Sequence, residues 1–128
     1  MHTVLLIEDN PLVSTMIQLK LEEAGFKVKC CSDGREGLAS LTAEMPDIVL
    51  TNIMLPYISG LEILRAVKKI KKKDIPIILL SSLKQESVVE EAFKLGADDY
   101  ITKPFQMAEI VECVNRLISK AQITYSNG

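Results

Sequence analysis

Residues 3–12 read TVLLIEDNPL, and this stretch decides the fold. Thr3–Ile7 is a short, mostly apolar run with several β-branched residues, the composition of a buried strand. Glu8 and Asp9 end it at once. Asn10 suits a helix N-cap, and Pro11 falls in the first turn, where its missing N–H is harmless. A strand therefore runs through two acids directly into a helix. That helix is predicted to carry Val13, Met16, Ile17, Leu21 and Ala24 on one stripe and to stop at Gly25.

The same unit recurs along the chain. Phe26–Cys31 is a second strand, closed by Asp33-Gly34, and Arg35–Ala43 a short helix with Leu38 and Leu41 inward. Pro46-Asp47 leads into a third strand, Ile48–Thr51. Gly60–Ile70 is helical, with Leu61, Leu64 and Val67 on one side. Its basic end (Lys68, Lys69, Lys71, Lys72 and Lys73) suits the negative end of the helix dipole. That run is read as a solvated helix end, with a contact to an acidic partner as the alternative. Pro76 opens a fourth strand, Ile77–Leu80. Glu86–Leu95 is a helix with Val88, Val89, Ala92 and Phe93 inward, ended by Gly96. Asp99–Thr102 is a fifth strand, and Met107–Ala121 the last helix, with Ile110, Val111, Val114, Leu117 and Ile118 inward. Residues 122–128 read as a polar tail or the start of a linker, so the domain spans 1–121. Strand and helix alternate five times. Strands that are continuous apolar runs are buried on both faces, which means a parallel sheet between helices: an α/β, doubly wound, three-layer fold.

Bulk composition narrows the function classes. The chain has 128 residues, is 48% hydrophobic and 25% charged, and carries a formal charge of −2 from 15 bases and 17 acids. That balance excludes a generally basic binder of nucleic acid or of a membrane surface. There is no Trp, so stacking platforms for bases are not expected. Cys30, Cys31 and Cys113 make no C-x-x-C pair, which leaves zinc and thioredoxin-type chemistry without their spacing. They read as free thiols of a cytoplasmic protein. The apolar start is too short for a signal peptide, and no run approaches the ~20 residues of a membrane helix. His2, the one histidine, sits at a chain end and is a poor candidate for a base, ligand or phosphocarrier.

In a doubly wound fold a ligand binds at the carboxyl ends of the strands, where the strand order reverses. Those ends hold Glu8-Asp9, Thr51-Asn52, Ser81-Ser82 and Thr102-Lys103-Pro104. Each has a plain alternative. Glu8 or Asp9 could be a loop acid near a helix N-terminus, Ser81 a helix cap and Lys103 a surface lysine. Met54 and Leu55 suit loop packing. Together, two carboxylates, an amide, a hydroxyl and an ammonium suit a hard divalent cation and a phosphoryl group. No G-x-x-x-x-G-K-[ST] loop is present, and no G-x-G-x-x-G follows the first strand, so P-loop and dinucleotide sites are not expected.

Glu8-Asp9, Ser81 and Lys103-Pro104-Phe105 resemble the receiver domain of two-component response regulators, of the chemotaxis-regulator-like kind. So do Pro46-Asp47, Pro56, Gly60 and Gly96-Ala97-Asp98-Asp99-Tyr100; the match covers about residues 3–120. The resemblance implies a flavodoxin-like sheet in the order 2-1-3-4-5. It implies that Glu8 and Asp9 hold Mg²⁺ together with position 52 and the Met54 backbone carbonyl. It makes Ser81 the sensor of the phosphoryl group, Lys103 its counter-charge, Lys103–Pro104 a cis bond and Tyr100 an aromatic switch. The implied partners are a histidine kinase or phosphotransfer protein, and a downstream partner or output domain on the helix 4–strand 5–helix 5 face. The domain is expected to be a monomer or weak homodimer, with no direct contact to nucleic acid or membrane, and not an enzyme.

One position departs from the pattern. The family's phospho-accepting aspartate ends strand 3, and this chain has Asn52 there. An amide is a far poorer nucleophile than a carboxylate. The pocket also loses a negative charge, which is expected to weaken the Mg²⁺ site. Three readings stay open: an Asp-to-Asn change engineered to hold a receiver unphosphorylated, a natural receiver that signals by binding alone, and a displaced acceptor such as Thr51. Neighbouring strand residues face opposite ways, so Thr51 is expected to point away from the pocket. The rivals from another class are a metal-dependent phosphohydrolase and a flavodoxin-like redox protein. The first lacks a second Asp at position 11, which is proline; the second lacks a phosphate-binding loop and flanking aromatics.

Overall fold

The computed structural model describes residues 1–127, with side chains through Ala121. Ten elements alternate: β1 (Thr3–Ile7), α1 (Pro11–Glu23), β2 (Lys27–Cys31), α2 (Gly34–Ala43), β3 (Ile48–Asn52), α3 (Gly60–Lys69), β4 (Ile77–Ser81), α4 (Glu86–Lys94), β5 (Asp99–Thr102) and α5 (Met107–Asn127). All strand pairs are parallel, in the order β2-β1-β3-β4-β5. The expected doubly wound α/β fold is the observed one.

Local chemistry explains the helix starts. Asn10 accepts from the N–H groups of Leu12 and Val13, Asp33 from that of Glu36, and Ser59 from that of Glu62. Gly25 and Gly96 follow α1 and α4 at φ +96° and +108°, the left-handed region that ends a helix.

The period of two along each strand divides the core. Val4, Leu6, Ile48, Leu50, Ile78 and Leu80 pack under α1 and α5. Leu5, Ile7, Val49, Ile77 and Leu79 pack under α2, α3 and α4. β3 and β4 are buried along their whole length, whereas the edge strand β2 exposes Lys27 and Lys29.

Several expectations need correction. Met16 is 44% exposed, and Ala24 lies outside α1 and is exposed. The stripe that α1 buries is narrower: Val13, Ile17 and Leu21, four residues apart. Phe93 is 46% exposed, because it sits about 100° around α4 from the buried Ala92. α5 runs to Asn127 rather than stopping at Ala121, since no Gly or Pro interrupts it; Gly128 lies outside the described residues. No helix among the described residues is long and apolar enough to cross a membrane.

Candidate functional site

β1 and β3 are neighbours although a whole βα unit separates them in sequence, so the strand order reverses beside them. Ile7 pairs with Thr51, and the next residues, Glu8, Asp9 and Asn52, emerge together at the switch point. Glu8 and Asn52 are buried, 2% and 4% exposed. The Asn52 Nδ2 group donates to Glu8 Oε2 at 2.6 Å and to Asp9 Oδ1 at 3.0 Å. Lys103 Nζ donates to Glu8 Oε1 at 3.1 Å, and the Asn10 N–H donates to Glu8 Oε2 at 3.0 Å. Both oxygens of the buried Glu8 are thus satisfied, which is what permits a carboxylate in an apolar layer.

Lys103 reaches the site from the end of β5. Its N–H donates to the Ser81 carbonyl at 2.8 Å, and its peptide bond to Pro104 is cis. Ser81 ends β4 and is buried. Its Oγ accepts from the Leu83 N–H at 3.0 Å and leaves its own proton for another acceptor. Ser81 does not cap α4: the N-cap there is Gln85, which makes no side-chain capping bond.

Asp9, Asn52, Met54, Ser81, Ser82 and Lys103 line a cavity of about 180 Å³. Glu8 lies behind it, holding Asn52 and Lys103 in place. A larger cavity of about 420 Å³ lies at the opposite ends of the strands, between β2 and α2, and gathers no comparable set of groups. Tyr100 is outside the site cavity. Its hydroxyl donates to the Leu83 carbonyl at 2.7 Å, so it is tied to the loop that follows Ser81. Thr51 is fully buried, and its Oγ1 donates to the Asn52 carbonyl at 3.0 Å. It pairs with Ile7 and Leu79, whose side chains pack on the α2–α3–α4 side of the sheet.

Asn52 Oδ1 is buried and has no hydrogen-bond partner. Leaving such an acceptor unmade costs about 1–3 kcal/mol. An amide oxygen beside Asp9 is a hard donor of the kind a divalent cation takes, although among the described residues no cluster of three or more His, Cys, Asp or Glu side chains gathers there.

Sequence reasoning missed the groups that hold the loop between β3 and α3. Tyr57 has φ +72°, a strained value for a residue with a side chain, and the Arg35 guanidinium lies 3.5 Å from its ring centroid. A Cβ at Gly34 would strike the Ile58 backbone, and one at Gly60 would strike the Asn52 carbonyl. Those two glycines let the loop close down on α2 and on the end of β3. A lone arginine and tyrosine far apart in sequence carry no signal of this contact.

The family model of the response regulator receiver domain matches residues 4–115. The chain is similar to the DNA-binding dual master transcriptional regulator RpaA of Synechocystis sp., 33% identical over 94% of this chain and 50% of that protein. It is similar to the alkaline phosphatase synthesis transcriptional regulatory protein PhoP of Bacillus subtilis, 32% identical over 94% of this chain and 50% of that one. The chain spans about half the length of both. Among solved structures it is similar to a receiver domain of a Francisella response regulator, at TM-score 0.87, 32% identity, and coverage of 94% and 98% of the two chains. It also resembles a receiver domain protein from Clostridium thermocellum, at TM-score 0.88, 28% identity, and coverage of 97% and 99%. Fold and sequence agree: the chain belongs to the receiver domain family of two-component response regulators.

Proposed function

We propose that this receiver is not phosphorylatable at the end of β3, and that it works as a binding module in the state its own hydrogen bonds select. The observation that carries this reading is the amide of Asn52. It donates to both Glu8 and Asp9 and stands where the family's phosphoacceptor carboxylate is expected. Its nitrogen lone pair is delocalised and both carboxylates are engaged by its hydrogens, so no competent nucleophile faces the cavity. Thr51 offers no substitute, being buried on the other side of the sheet. This reading makes the domain a signalling module rather than an enzyme.

Receiver domains typically bind Mg²⁺ at this place, where it neutralises phosphoryl oxygens. Here Asp9, Asn52 Oδ1 and the Met54 carbonyl would hold it, with Glu8 behind them. Two carboxylates instead of three weaken such a site, because charge count tunes affinity. The amide protons facing Glu8 and Asp9 occupy space that a cation would otherwise share. Ser81 would donate its free hydroxyl proton to a phosphoryl oxygen, and Lys103 would supply a positive charge. Tyr100 would report the state of the Leu83 loop, to which its hydroxyl is bonded. The expected partners are a histidine kinase or phosphotransfer protein, and a downstream protein or output domain on the α4–β5–α5 face.

Intact-mass measurement after incubation with acetyl phosphate and Mg²⁺ tests the reading. The chain should gain no phosphoryl-sized adduct, and Asn52→Asp should gain one that mild base removes. A base-labile adduct on the unaltered chain would overturn it.

A further inference from the structure

The lysine run 68–73 enters neither the fold's site nor the reading above. Five of its six residues are lysine. Removing those five charges from the net −2 leaves −7 on the rest of the chain. Asp47, Asp74 and Asp98 lie among these lysines and offset part of their charge, which leaves a mildly basic pole on an acidic body.

Tertiary structure places and sorts these lysines. They sit at the end of α3 and in the connection into β4, at the amino ends of the strands, the pole opposite the strand-end site. Lys68 pairs with Asp98 at 3.1 Å, just before β5, and Lys73 with Asp47 at 2.6 Å, just before β3. Those two hold the fold. Lys69, Lys71 and Lys72 are exposed and form none of the ion pairs found among the described residues. Beside them is a groove of about 340 Å³. Its lining sets half-buried Ile70, over the buried Val67 and Ile75, beside Lys68, Lys71 and Lys73, of which Lys71 lies outside the ion pairs above, and beside Asp74.

We infer that this groove is a docking site for a short acidic segment of a partner protein that carries apolar side chains among its carboxylates. The exposed Lys69, Lys71 and Lys72 select an anion, and half-buried Ile70 selects one with a hydrophobic group to bury. A long polyanion fits less well. The groove contains no arginine fork for phosphate and no aromatic ring for a base. A nucleic acid or a bilayer would also extend past the basic pole onto a body that is acidic overall. Ion pairs already in place at Lys68 and Lys73 keep the rim rigid, which lowers the ordering cost of binding.

Fluorescence anisotropy tests this, using a labelled polyglutamate peptide with interspersed leucines as the probe. Binding should be measurable at low salt and fade as screening rises. Charge reversal at Lys69, Lys71 and Lys72 should weaken it about tenfold or more, because the rim charge of Lys71 and the flanking charges of Lys69 and Lys72 change sign. These side chains are exposed, so the variant should keep the parent's circular dichroism, with melting lowered only slightly by the reversed charge in the last turn of α3. Replacing the leucines with serine, or making Ile70→Ser, should each weaken binding; the two changes together should cost little more than one. Lack of binding at low salt, binding insensitive to the triple charge reversal, or tighter capture of a single-stranded oligonucleotide or of anionic phospholipid vesicles would each overturn the inference.

Discussion

Replacing Asn52 by Asp probes the balance of charge at the strand ends. The amide donates to Glu8 at 2.6 Å and to Asp9 at 3.0 Å. Each hydrogen bond to a charged acceptor contributes about 1.5–3 kcal/mol. A carboxylate in its place donates nothing and faces two like charges. At a centre separation of about 5 Å and an effective dielectric near 20, each repulsion costs about 3 kcal/mol. Lys103, 3.1 Å from Glu8, offsets part of this, and rotation of the new side chain relieves more. The expected net loss in metal-free buffer is about 2–4 kcal/mol, which for a domain of this length lowers Tm by roughly 6–15 °C. Mg²⁺ should reverse the loss. At a hundred times Kd, mass action returns about 2.7 kcal/mol. The assay is thermal unfolding of both chains, in chelator and in Mg²⁺, at constant ionic strength. Asn52→Asp should melt well below the parent in chelator and recover in Mg²⁺, while the parent shifts far less. Equal melting in chelator, or equal gains from Mg²⁺, would refute the charge argument.

Three further outcomes are expected. Burial alone would raise the Asp47 carboxyl, but the bond from Lys73, the Thr3 N–H and the charges of Lys73 and His2 outweigh it, and its pKa lies below the usual range. A depressed folded value stabilises above the unfolded pKa and is lost as pH falls through the folded one. Asp47→Asn should therefore cost stability at about pH 7 and progressively less toward about pH 2; a penalty that stays constant down the acid limb would contradict this. Burial, then the bond and charge of Asp99, push the Cys113 thiol up to about 12, with Arg116 only partly opposing. Iodoacetamide at about pH 8 should therefore label half-buried Cys30 before Cys113 in the native protein, as peptide mass mapping would read, and equal rates would count against the thiol's burial. Gly60→Ala should cost about 2–4 kcal/mol in urea unfolding, because its Cβ would meet the Asn52 carbonyl and the end of β3 must move. An unchanged midpoint would show that the loop yields freely.

The sequence carried the elements well because their signals are local. Asn10, Asp33 and Ser59 cap helices within four residues of themselves, and the strands are apolar runs bounded by polar groups. It carried facing less well. Met16 and Phe93 are apolar and adjacent to buried positions, and only the width of the packed stripe leaves them outside. The roles of single lysines were hidden too. Lys68, Lys69, Lys71, Lys72 and Lys73 read alike in the sequence, yet two of them clamp the starts of β3 and β5.

By itself the sequence determined five βα units, two acids after β1, an asparagine after Thr51 and a lysine before Pro104. Hydrophobic period and capping residues act over a few positions, and that is enough to specify them. Only the tertiary structure decided what those groups do to one another. Parallel pairing of β1 with β3 puts the Asn52 amide between Glu8 and Asp9, 44 and 43 residues away. The end of β5 brings Lys103 to Glu8 across 95 residues. Such contacts depend on strand order and register, which arise from packing whole layers together.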